Sequence, residues 1–528
     1  MKFTFFVKRD QPSRVAIEYY KYFNAGECTT ITLWNPFSNR TPSVREQRYW
    51  FDDFIQHNPD TEYLLICDSN WYKAIHGSCK PNAMIGYIST YKDKFITYVP
   101  SLDQIFYNPE KTREQISIAL KAVKTHADLG SYKEPGEDII NKAIYPETIE
   151  DIKYTLGELK KYPKLTCDIE TYGLKHYDAG LASITFCIDE HNGVAFRIDD
   201  SPTTKNQGIR DILKEFFDSY TGTLIYHNIS FDAYVLIYQL YMKDFLDMKG
   251  MFEGFNKLLS NFDDTMLIAY LATNNASGNQ LSLKELAQSF AGNWAQSEIS
   301  DVSKIDTKTL LKYNLTDGLS TWFVYNKYYP IMVRDNQLDI YKTIFKLAVT
   351  DIIQMQLSGL PIDMDMVQKV EKELIDDQND ALTRINNSSV VRKFVKYLNE
   401  KWVEWKNTTL KKKRVTIADA HEEFKPNSHA QLQQLFYEML GFPIINKTIK
   451  GLPSTDADTL LALKNRTKRQ EIIDLIDALV DYADVNKILT GFIPAFKKAY
   501  KAPDGWHYLC GNFRLGGTVS GRLSSNSP

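Results

Sequence analysis

The chain has 528 residues, which is too long for one ordinary domain and predicts about three. Apolar residues make up 43% of the sequence and charged residues 24%, values typical of a globular protein with several hydrophobic cores. The formal net charge of -3 argues against a protein that coats nucleic acid purely by positive charge. A nucleic-acid enzyme stays compatible with this charge if acidic metal ligands offset local basic patches.

The cysteines and the N-terminus indicate the cellular setting. Six scattered cysteines include no CxxC pair, so neither a zinc site nor a disulfide framework is indicated, and we expect a reducing, cytoplasmic environment. The apolar run in MKFTFFVKRD is too short for a signal peptide. No stretch of about 18 apolar residues predicts a membrane span.

Residues 1–147 are predicted to form an α+β domain. The runs KFTFFVK, TTITLW, YLLICDS and MIGYISTYKDKFITYV are typical of strands, and REQISIALKAVKTHADL has the period of a helix. The polar segment SYKEPGEDII is a plausible linker to the next domain. No group of catalytic residues stands out here, so the sequence does not indicate what this domain does.

The remaining chain is predicted to contain two regions of different class. Residues 148–335 read as α/β, with strands in KLTCDIET, LASITFCID, GVAFRI and TLIYHN and a helix in IRDILKEFFDSY. Residues 336–528 read as mainly helical and more polar, with a basic run in KWVEWKNTTLKKKRV. The predicted fold class of the whole chain is therefore α/β.

Four acidic positions and one tyrosine in residues 148–335 stand out. Asp168 and Glu170 lie two positions apart on an otherwise apolar strand, so both carboxylates face the same side. Asp232 follows the end of a later strand. Tyr313 and Asp317 are four residues apart on a helix, so the hydroxyl and the carboxylate point the same way.

These residue types suit hydrolysis of a phosphodiester. Hard divalent ions such as Mg²⁺ prefer carboxylate oxygens, and two such ions about 4 Å apart can hold the attacking and leaving oxygens of an in-line displacement. Each motif alone also has an ordinary structural explanation: a solvated strand end, a helix cap or a surface pair. The order of the motifs along the chain, DxE, then HNxxFD, then YxxxD, favours the metal site.

These three motifs resemble those of the DEDD superfamily of 3′→5′ exonucleases in its tyrosine-containing branch. They are similar to the proofreading domain of family A DNA polymerases, the group of bacterial DNA polymerase I and its phage relatives. The resemblance runs from about Lys164 to Tyr325. It implies a ribonuclease H-like domain with a mixed five-stranded sheet, two divalent ions (Mg²⁺ or Mn²⁺), and the bacterial or phage-infected host cytoplasm as location.

The resemblance also implies individual roles. Asp168, Glu170 and Asp317 would hold the first metal ion and Asp232 mainly the second, while Tyr313 would orient the attacking water. Two further residues match positions that contact DNA: Leu174 the apolar residue beside the terminal base, and Asn228 the asparagine beside the substrate. The histidine branch would have His at position 312, which is Lys312 here, so the tyrosine branch is favoured. Asp264 is expected to start a helix rather than to bind metal.

Residues 336–528 contain segments similar to the thumb and first palm segment of the same polymerases. These segments are MQLSGLPIDMDMV, FKPNSHAQLQQLFYEMLGFP, GLPSTDADTLLAL and TVSGRLSS. The resemblance implies that Arg522 contacts the minor groove near the primer terminus. The basic residues Lys411, Lys412, Lys413 and Arg414 could follow the backbone of a DNA duplex.

The later family motifs, DxSxxExR, a fingers helix and an HDE hairpin, do not occur in the sequence. Nucleotidyl transfer needs two palm carboxylates, so this chain alone is not expected to polymerise. The predicted function is 3′→5′ hydrolysis of DNA, with single-stranded 3′ ends and primer–template DNA as partners. Two alternatives stay open: the N-terminal subunit of a split polymerase that needs a second chain with palm and fingers, and a ribonuclease D-like RNA exonuclease.

Overall fold

The structure is a computed structural model with two compact units. One unit comprises Met1–Ser358 together with the segment that begins at Gly511, and the other comprises Gly359–Cys510. The first unit contains both predicted domains 1–147 and 148–335, whose boundary stays a prediction. The structure describes residues 2–9, 11–33, 42–77, 79–273, 280–294, 301–409, 414–448 and 451–526.

The N-terminal domain is built on a five-stranded sheet in the order β2-β1-β3-β5-β4. Strands β2, β1, β3 and β5 run parallel, and only β4 pairs antiparallel, with β5. Its elements are β1 (Phe3–Val7), α1 (Pro12–Glu18), β2 (Cys28–Thr32), α2 (Val44–His57), β3 (Tyr63–Ile66), α3 (Ser69–His76), β4 (Ser89–Tyr91), β5 (Lys94–Tyr98) and α4 (Pro109–Leu129).

The predicted α+β class of this domain therefore needs correction to α/β. Strands β1 and β3 are buried along their whole length, as expected for parallel strands covered by helices on both faces. The four strand segments predicted from the sequence are all present. The sequence did not indicate the strand order, in which β1 lies between β2 and β3. The connections between these strands cross over, and the strands run parallel.

Residues 142–358 form a second sheet with its helices. Its elements are β6 (Lys142–Ile144), α5 (Ile149–Leu159), β7 (Lys164–Glu170), β8 (Ser183–Cys187), β9 (Asn192–Arg197), α6 (Gln207–Ser219), β10 (Thr223–Tyr226), α7 (Ile229–Tyr241), α8 (Met248–Leu258), β11 (Phe262–Asp264), α9 (Thr265–Ala272), α10 (Leu283–Leu286), α11 (Gln288–Ala291), α12 (Thr307–Arg334), α13 (Leu338–Ile340) and α14 (Lys346–Ser358). A π-helical turn, Tyr341–Phe345, joins α13 to α14.

The strand order of this sheet is β11-β10-β7-β8-β9-β6. Strand β8 is antiparallel to both β7 and β9, whereas β7, β10 and β11 run parallel to one another. Strands β7–β11 thus form the predicted mixed five-stranded sheet of a ribonuclease H-like domain. A sixth strand, β6, pairs parallel with β9 at the edge. The predicted fold is confirmed, with one strand more than expected.

The second unit is mainly helical, as predicted. It contains β12 (Leu360–Ile362), α15 (Met364–Asn387), α16 (Ser389–Thr409), α17 (His429–Gln433), α18 (Ala457–Lys464), α19 (Gln470–Lys487), α20 (Ile493–Lys497), β13 (Tyr500–Lys501) and β14 (His507–Leu509). Its own hydrophobic core includes Phe394, Leu435 and Ile476. Short antiparallel pairings join β12 and β13 to β14.

The segment that begins at Gly511 belongs to the first unit. It forms an antiparallel pair of β15 (Asn512–Arg514) and β16 (Ser524–Asn526). The hydroxyl of Tyr270 in α9 donates a hydrogen bond of 3.0 Å to the carbonyl of Thr518 between these strands. Among the helices that the structure describes, none combines the length and apolarity needed to cross a bilayer.

Candidate active site

The central strand β7 carries two of the predicted acidic residues. Asp168 and Glu170 are two positions apart on it, so their side chains leave the sheet on one face. Strand β10 runs parallel beside β7 and leads into α7, whose first turn contains Asp232. One Asp232 oxygen accepts a hydrogen bond of 3.1 Å from the backbone N–H of Ile169, which ties α7 to β7 between the other two acids.

Helix α12 supplies Tyr313 and Asp317. Asp306 caps its N-terminus by accepting a hydrogen bond from a backbone N–H of the first turn. The hydroxyl of Thr166 on β7 donates a 3.0 Å hydrogen bond to the carbonyl of Gly318, so the helix lies directly on the central strand. The side chain of Tyr313 lowers the pKa of Asp317, as expected for an interaction between residues four apart on one helix face.

The strand and the helices bring the predicted acids together. One carboxylate oxygen from each of Asp168, Glu170 and Asp317 lies within 4.8 Å of the other two. Asp232 is outside this group of three, although it contacts the same strand. We refer to Asp168, Glu170, Asp232 and Asp317 as the acidic cluster.

Burial and mutual repulsion set the pKa values in the acidic cluster. Burial raises the pKa of Asp168 well above its usual value, and the charges of the other three acids raise it further. Burial and the charges of Asp317 and Asp232 raise the pKa of Glu170 to about 8. Burial also raises the pKa of Asp232 to about 8 and that of Asp317 to about 6. The cluster therefore retains protons at neutral pH unless a cation compensates its charge.

Two hydrogen-bond donors that the sequence analysis missed orient acids of the cluster. The side-chain amide of Asn314 donates a 2.7 Å hydrogen bond to Asp168. The indole N–H of Trp294 donates a 2.7 Å hydrogen bond to Asp317. Asn314 lies three residues before Asp317 on α12, so helical spacing could have indicated it. Trp294 lies in an irregular segment, and no periodic pattern in the sequence points to it.

Lys284 is a third neighbour that the sequence analysis missed. Its Nζ lies 5.5 Å from the centroid of the Tyr313 ring, within the range of a cation–π contact. Its charge lowers the pKa values of Glu170 and Asp317, against the larger effect of burial. Lys284 therefore supplies part of the positive charge that the acidic cluster lacks.

The donor set of the acidic cluster fits a hard divalent cation. Mg²⁺ and Mn²⁺ prefer carboxylate oxygens, and the cluster offers four carboxylates. Three of these carboxylates lie close enough to hold one ion together, and their mutual repulsion is the kind of unfavourable charge that cation binding relieves. The residues present therefore match the predicted metal chemistry.

The predicted DNA-contacting residues of this domain lie around the acidic cluster's strands. Leu174 follows β7 in a loop and is 78% exposed. Asn228 has a left-handed backbone conformation, with φ of 67°, at the start of α7. Its backbone N–H donates a 3.0 Å hydrogen bond to Asp264. Asp264 also caps α9, which confirms the expectation that it starts a helix.

The basic residues predicted to contact DNA lie far along the chain from the acidic cluster. Arg414 and Arg522 are both exposed, and the backbone carbonyl of Arg522 accepts a hydrogen bond from Thr518. Lys411, Lys412 and Lys413 lie outside the described residues. Contact of any of these residues with DNA stays a prediction.

Comparison with known families agrees with this arrangement. Residues 144–318 match the family described as 3'-5' exonuclease, and residues 395–528 match the family described as DNA polymerase family A. These matches support a family A DNA polymerase with an exonuclease domain. Its exonuclease domain is the one that contains the acidic cluster, and it is followed by sequence of the polymerase domain.

The individual proteins that this chain resembles are distant in sequence. DNA polymerase I of Bacillus subtilis is 22% identical over 50% of this chain and 26% of its own length. The DNA polymerase of Escherichia phage T5 is 21% identical over 84% of this chain and 48% of its own length. A solved structure, the POL domain of Pol1 from M. smegmatis in complex with DNA primer-template and dNTP, has 15% identity and a TM-score of 0.49, and the match covers 74% of this chain and 55% of that one. The chain thus spans about half, or less, of the length of these relatives.

Proposed function

We propose that the chain hydrolyses the 3′ ends of DNA to nucleoside 5′-monophosphates and so serves as a proofreading 3′→5′ exonuclease. The observation that carries the proposal is the group of Asp168, Glu170 and Asp317 within 4.8 Å of one another, inside a domain matched by the exonuclease family. Hydrolysis forms a bond from the water oxygen to phosphorus and breaks the bond from phosphorus to the 3′ oxygen of the preceding nucleotide.

The acids would divide two divalent metal ions, Mg²⁺ or Mn²⁺, between them. Asp168, Glu170 and Asp317 would hold the first ion, and Asp232 would contribute mainly to the second. When bound, such ions stabilise the charge that develops on the attacking and leaving oxygens. Asn314 and Trp294 would keep two of these carboxylates in fixed orientations through their hydrogen bonds.

Tyr313 would orient the attacking water. Its side chain interacts with Asp317 on one face of α12, so a water bound near that carboxylate would be within reach of the phenol oxygen. Leu174, which is exposed beside the strand that carries Asp168, would contact the terminal base. Asn228 would contact the substrate from the start of α7, where its left-handed backbone fixes the turn.

Residues 336–528 would act as the thumb and first palm segment on duplex DNA. The match of residues 395–528 to family A polymerases supports this assignment. Arg522 would reach the minor groove of the primer–template, and Arg414 with its neighbours Lys411, Lys412 and Lys413 would contact phosphates. A second chain that carries the rest of the palm and fingers stays a prediction, which co-purification from the native host would test.

The activity can be tested on 5′-labelled single-stranded DNA with Mg²⁺ or Mn²⁺. The variant Asp168→Ala with Glu170→Ala is expected to lose at least about a thousandfold in rate, because bound metal ions contribute several kcal/mol to such reactions. A matched control, Asp218→Ala with Glu253→Ala, removes two exposed carboxylates that pair with Lys214 in the same domain and should keep the wild-type rate.

Three results would contradict the proposal. Equal rates for the acidic-cluster variant and the wild-type protein would exclude the cluster as the active site. Release of products from the 5′ end would exclude the predicted polarity. A strong preference for an RNA strand of the same sequence would favour the ribonuclease D-like alternative over DNA proofreading.

A further inference from the structure

The N-terminal domain contacts the exonuclease domain next to the acidic cluster. The hydroxyl of Tyr87 donates a 2.8 Å hydrogen bond to the carbonyl of Pro135 and accepts one of 2.8 Å from the backbone N–H of Asn293. The side chain of Gln288 donates a 3.1 Å hydrogen bond to the carbonyl of Ile85. Two stretches of residues 1–147 therefore hold the segment that follows α10 in the exonuclease domain.

Two glycines make this contact unusually close. A Cβ atom on Gly292, where φ is +64°, would lie 2.0 Å from the carbonyl oxygen of Pro135 and 2.2 Å from the hydroxyl of Tyr87. A Cβ atom on Gly136, where φ is +90°, would lie 2.1 Å from the carbonyl oxygen of Ala291. Because any larger residue would collide with backbone atoms at both positions, this close approach of the two segments requires glycine at both.

The residue directly after this contact is Trp294. It is half-buried, and its indole N–H donates the 2.7 Å hydrogen bond to Asp317. The indole N–H can only donate, so it fixes one carboxylate oxygen and leaves the remaining lone pairs of the carboxylate for a cation.

We propose that Trp294 is a positioning residue for Asp317, and that the N-terminal domain holds Trp294 in place through Tyr87 and Asn293. We call Tyr87, Asn293, Trp294 and Asp317 the positioning relay. This proposal rests on the proposed function, because Asp317 matters for metal binding only if the acidic cluster binds metal. It gives the N-terminal domain a role in the exonuclease reaction, which the sequence alone did not indicate.

The first test replaces the indole of Trp294. In the full chain, Trp294→Phe keeps an aromatic ring but removes the N–H, and the Kd for Mn²⁺ is measured by isothermal titration calorimetry. We expect Mn²⁺ to bind roughly tenfold more weakly, the usual loss when a partner of a metal ligand is removed. The Mn²⁺ concentration that gives half-maximal hydrolysis should rise by the same factor.

A matched control separates this effect from a loss of packing. Trp322 lies in the same domain, and its indole N–H donates a 2.7 Å hydrogen bond to the carbonyl of Cys187. Trp322→Phe removes the same group and a hydrogen bond of the same length, but this bond does not involve an acid of the cluster. It should reduce thermal stability and leave the Kd for Mn²⁺ within about twofold of the wild-type value.

The second test addresses the N-terminal domain. Tyr87→Phe removes the hydroxyl that holds Asn293 and is expected to weaken Mn²⁺ binding about threefold, which is the typical value of one hydrogen bond. Tyr22→Phe is the control, because its half-buried hydroxyl donates to Ser117 within the same domain. If Tyr87 acts through Trp294, as the positioning relay requires, the double variant of Tyr87→Phe and Trp294→Phe should bind Mn²⁺ no more weakly than Trp294→Phe alone.

The outcomes distinguish this inference from the proposed function. A wild-type protein that neither binds Mn²⁺ nor hydrolyses DNA would overturn both. An active wild-type protein with the same Kd in Trp294→Phe and Trp322→Phe would overturn only the role of Trp294. Fully additive losses for Tyr87→Phe and Trp294→Phe would overturn the link to the N-terminal domain, since the two residues would then act independently.

Discussion

Asp199 is a buried carboxylate and the acidic cluster is a group of buried and half-buried carboxyl groups in the same domain, with opposite surroundings. Asp199 accepts hydrogen bonds of 3.0 Å and 2.5 Å from the guanidinium of Arg210 and others from the backbone N–H groups of Leu181 and Asn206. Among the residues that the structure describes, the four acids of the cluster form no ion pair with lysine or arginine, and they repel one another. The protein thus completes one site internally and leaves the other to be completed by added cations.

The difference separates stability from function. A buried carboxylate that is fully paired contributes to one folded arrangement, and removing its partner leaves an uncompensated charge. A buried group of unpaired carboxylates lowers the stability of the fold. A protein retains such a group only where the group performs another task.

Replacement of Arg210 should give the largest loss of stability. Arg210→Met leaves Asp199 buried without its partner and is expected to lower the free energy of unfolding by about 3–5 kcal/mol. Urea unfolding followed by circular dichroism measures the change. The control is Arg384→Met, whose exposed pairs with Asp380 and Asp481 should contribute no more than about 1 kcal/mol. Similar losses in the two variants would show that Asp199 and Arg210 do not form a stabilising buried pair.

Tyr313→Phe should have the opposite profile, with a large effect on rate and a small one on stability. Removal of the Tyr313 hydroxyl should slow hydrolysis of single-stranded DNA by roughly tenfold to a hundredfold, because the attacking water loses an orienting partner. Single-turnover kinetics at saturating Mg²⁺ measure this loss. Tyr220→Phe is the matched control. It removes the hydroxyl of another half-buried tyrosine in the same domain, which donates a hydrogen bond to the carbonyl of Tyr162. A wild-type rate in Tyr313→Phe would remove the tyrosine from the mechanism.

The metal-free protein should lose stability as the pH rises. Folding raises the pKa values of Glu170 and Asp232 to about 8, so the folded state binds more protons than the unfolded state above about pH 4.5. The free energy of unfolding in EDTA should therefore fall between about pH 4.5 and pH 8, by more than about 1 kcal/mol, the value of a single pKa unit. Unfolding at pH 5 and pH 8.5 measures the change.

Added cations and a charge-neutral variant provide the controls for this pH dependence. Saturating Mg²⁺ should remove most of the loss at pH 8.5, since it compensates the charged carboxylates. Glu170→Gln should reduce the slope in EDTA, because one titrating group is gone. A stability that rises with pH in EDTA would contradict the raised pKa values.

Local periodicity predicted the pairs within the acidic cluster, whereas the grouping of all four acids and the sheet that carries them were implied by the family resemblance. The strand period puts Asp168 and Glu170 on one face, and the helical period puts Tyr313 beside Asp317. Trp294 was missed because its contact with Asp317 depends on the path of an irregular segment. The parallel N-terminal sheet was missed for a related reason: the direction of pairing depends on which strands become neighbours, and no single strand encodes that.

Lys284→Met tests a cation that partly compensates the acidic cluster, and we expect the smallest effect here. At pH 8 in EDTA the variant should lose about 0.5–1 kcal/mol of unfolding free energy, since Lys284 is half-exposed and its charge is screened. In saturating Mg²⁺ the loss should vanish, because the added cations compensate Glu170 and Asp317 instead. Urea unfolding in the two media measures the difference.

Lys327 offers a close control for Lys284. Its Nζ lies 5.5 Å from the centroid of the Phe323 ring, the same distance as in the contact of Lys284 with Tyr313, and it pairs with Glu114 rather than with the acidic cluster. Lys327→Met should therefore lose a similar amount of stability with and without Mg²⁺. If Lys284→Met behaves in the same way, its charge does not act on the acidic cluster, and the cluster depends on added cations for all of its compensation.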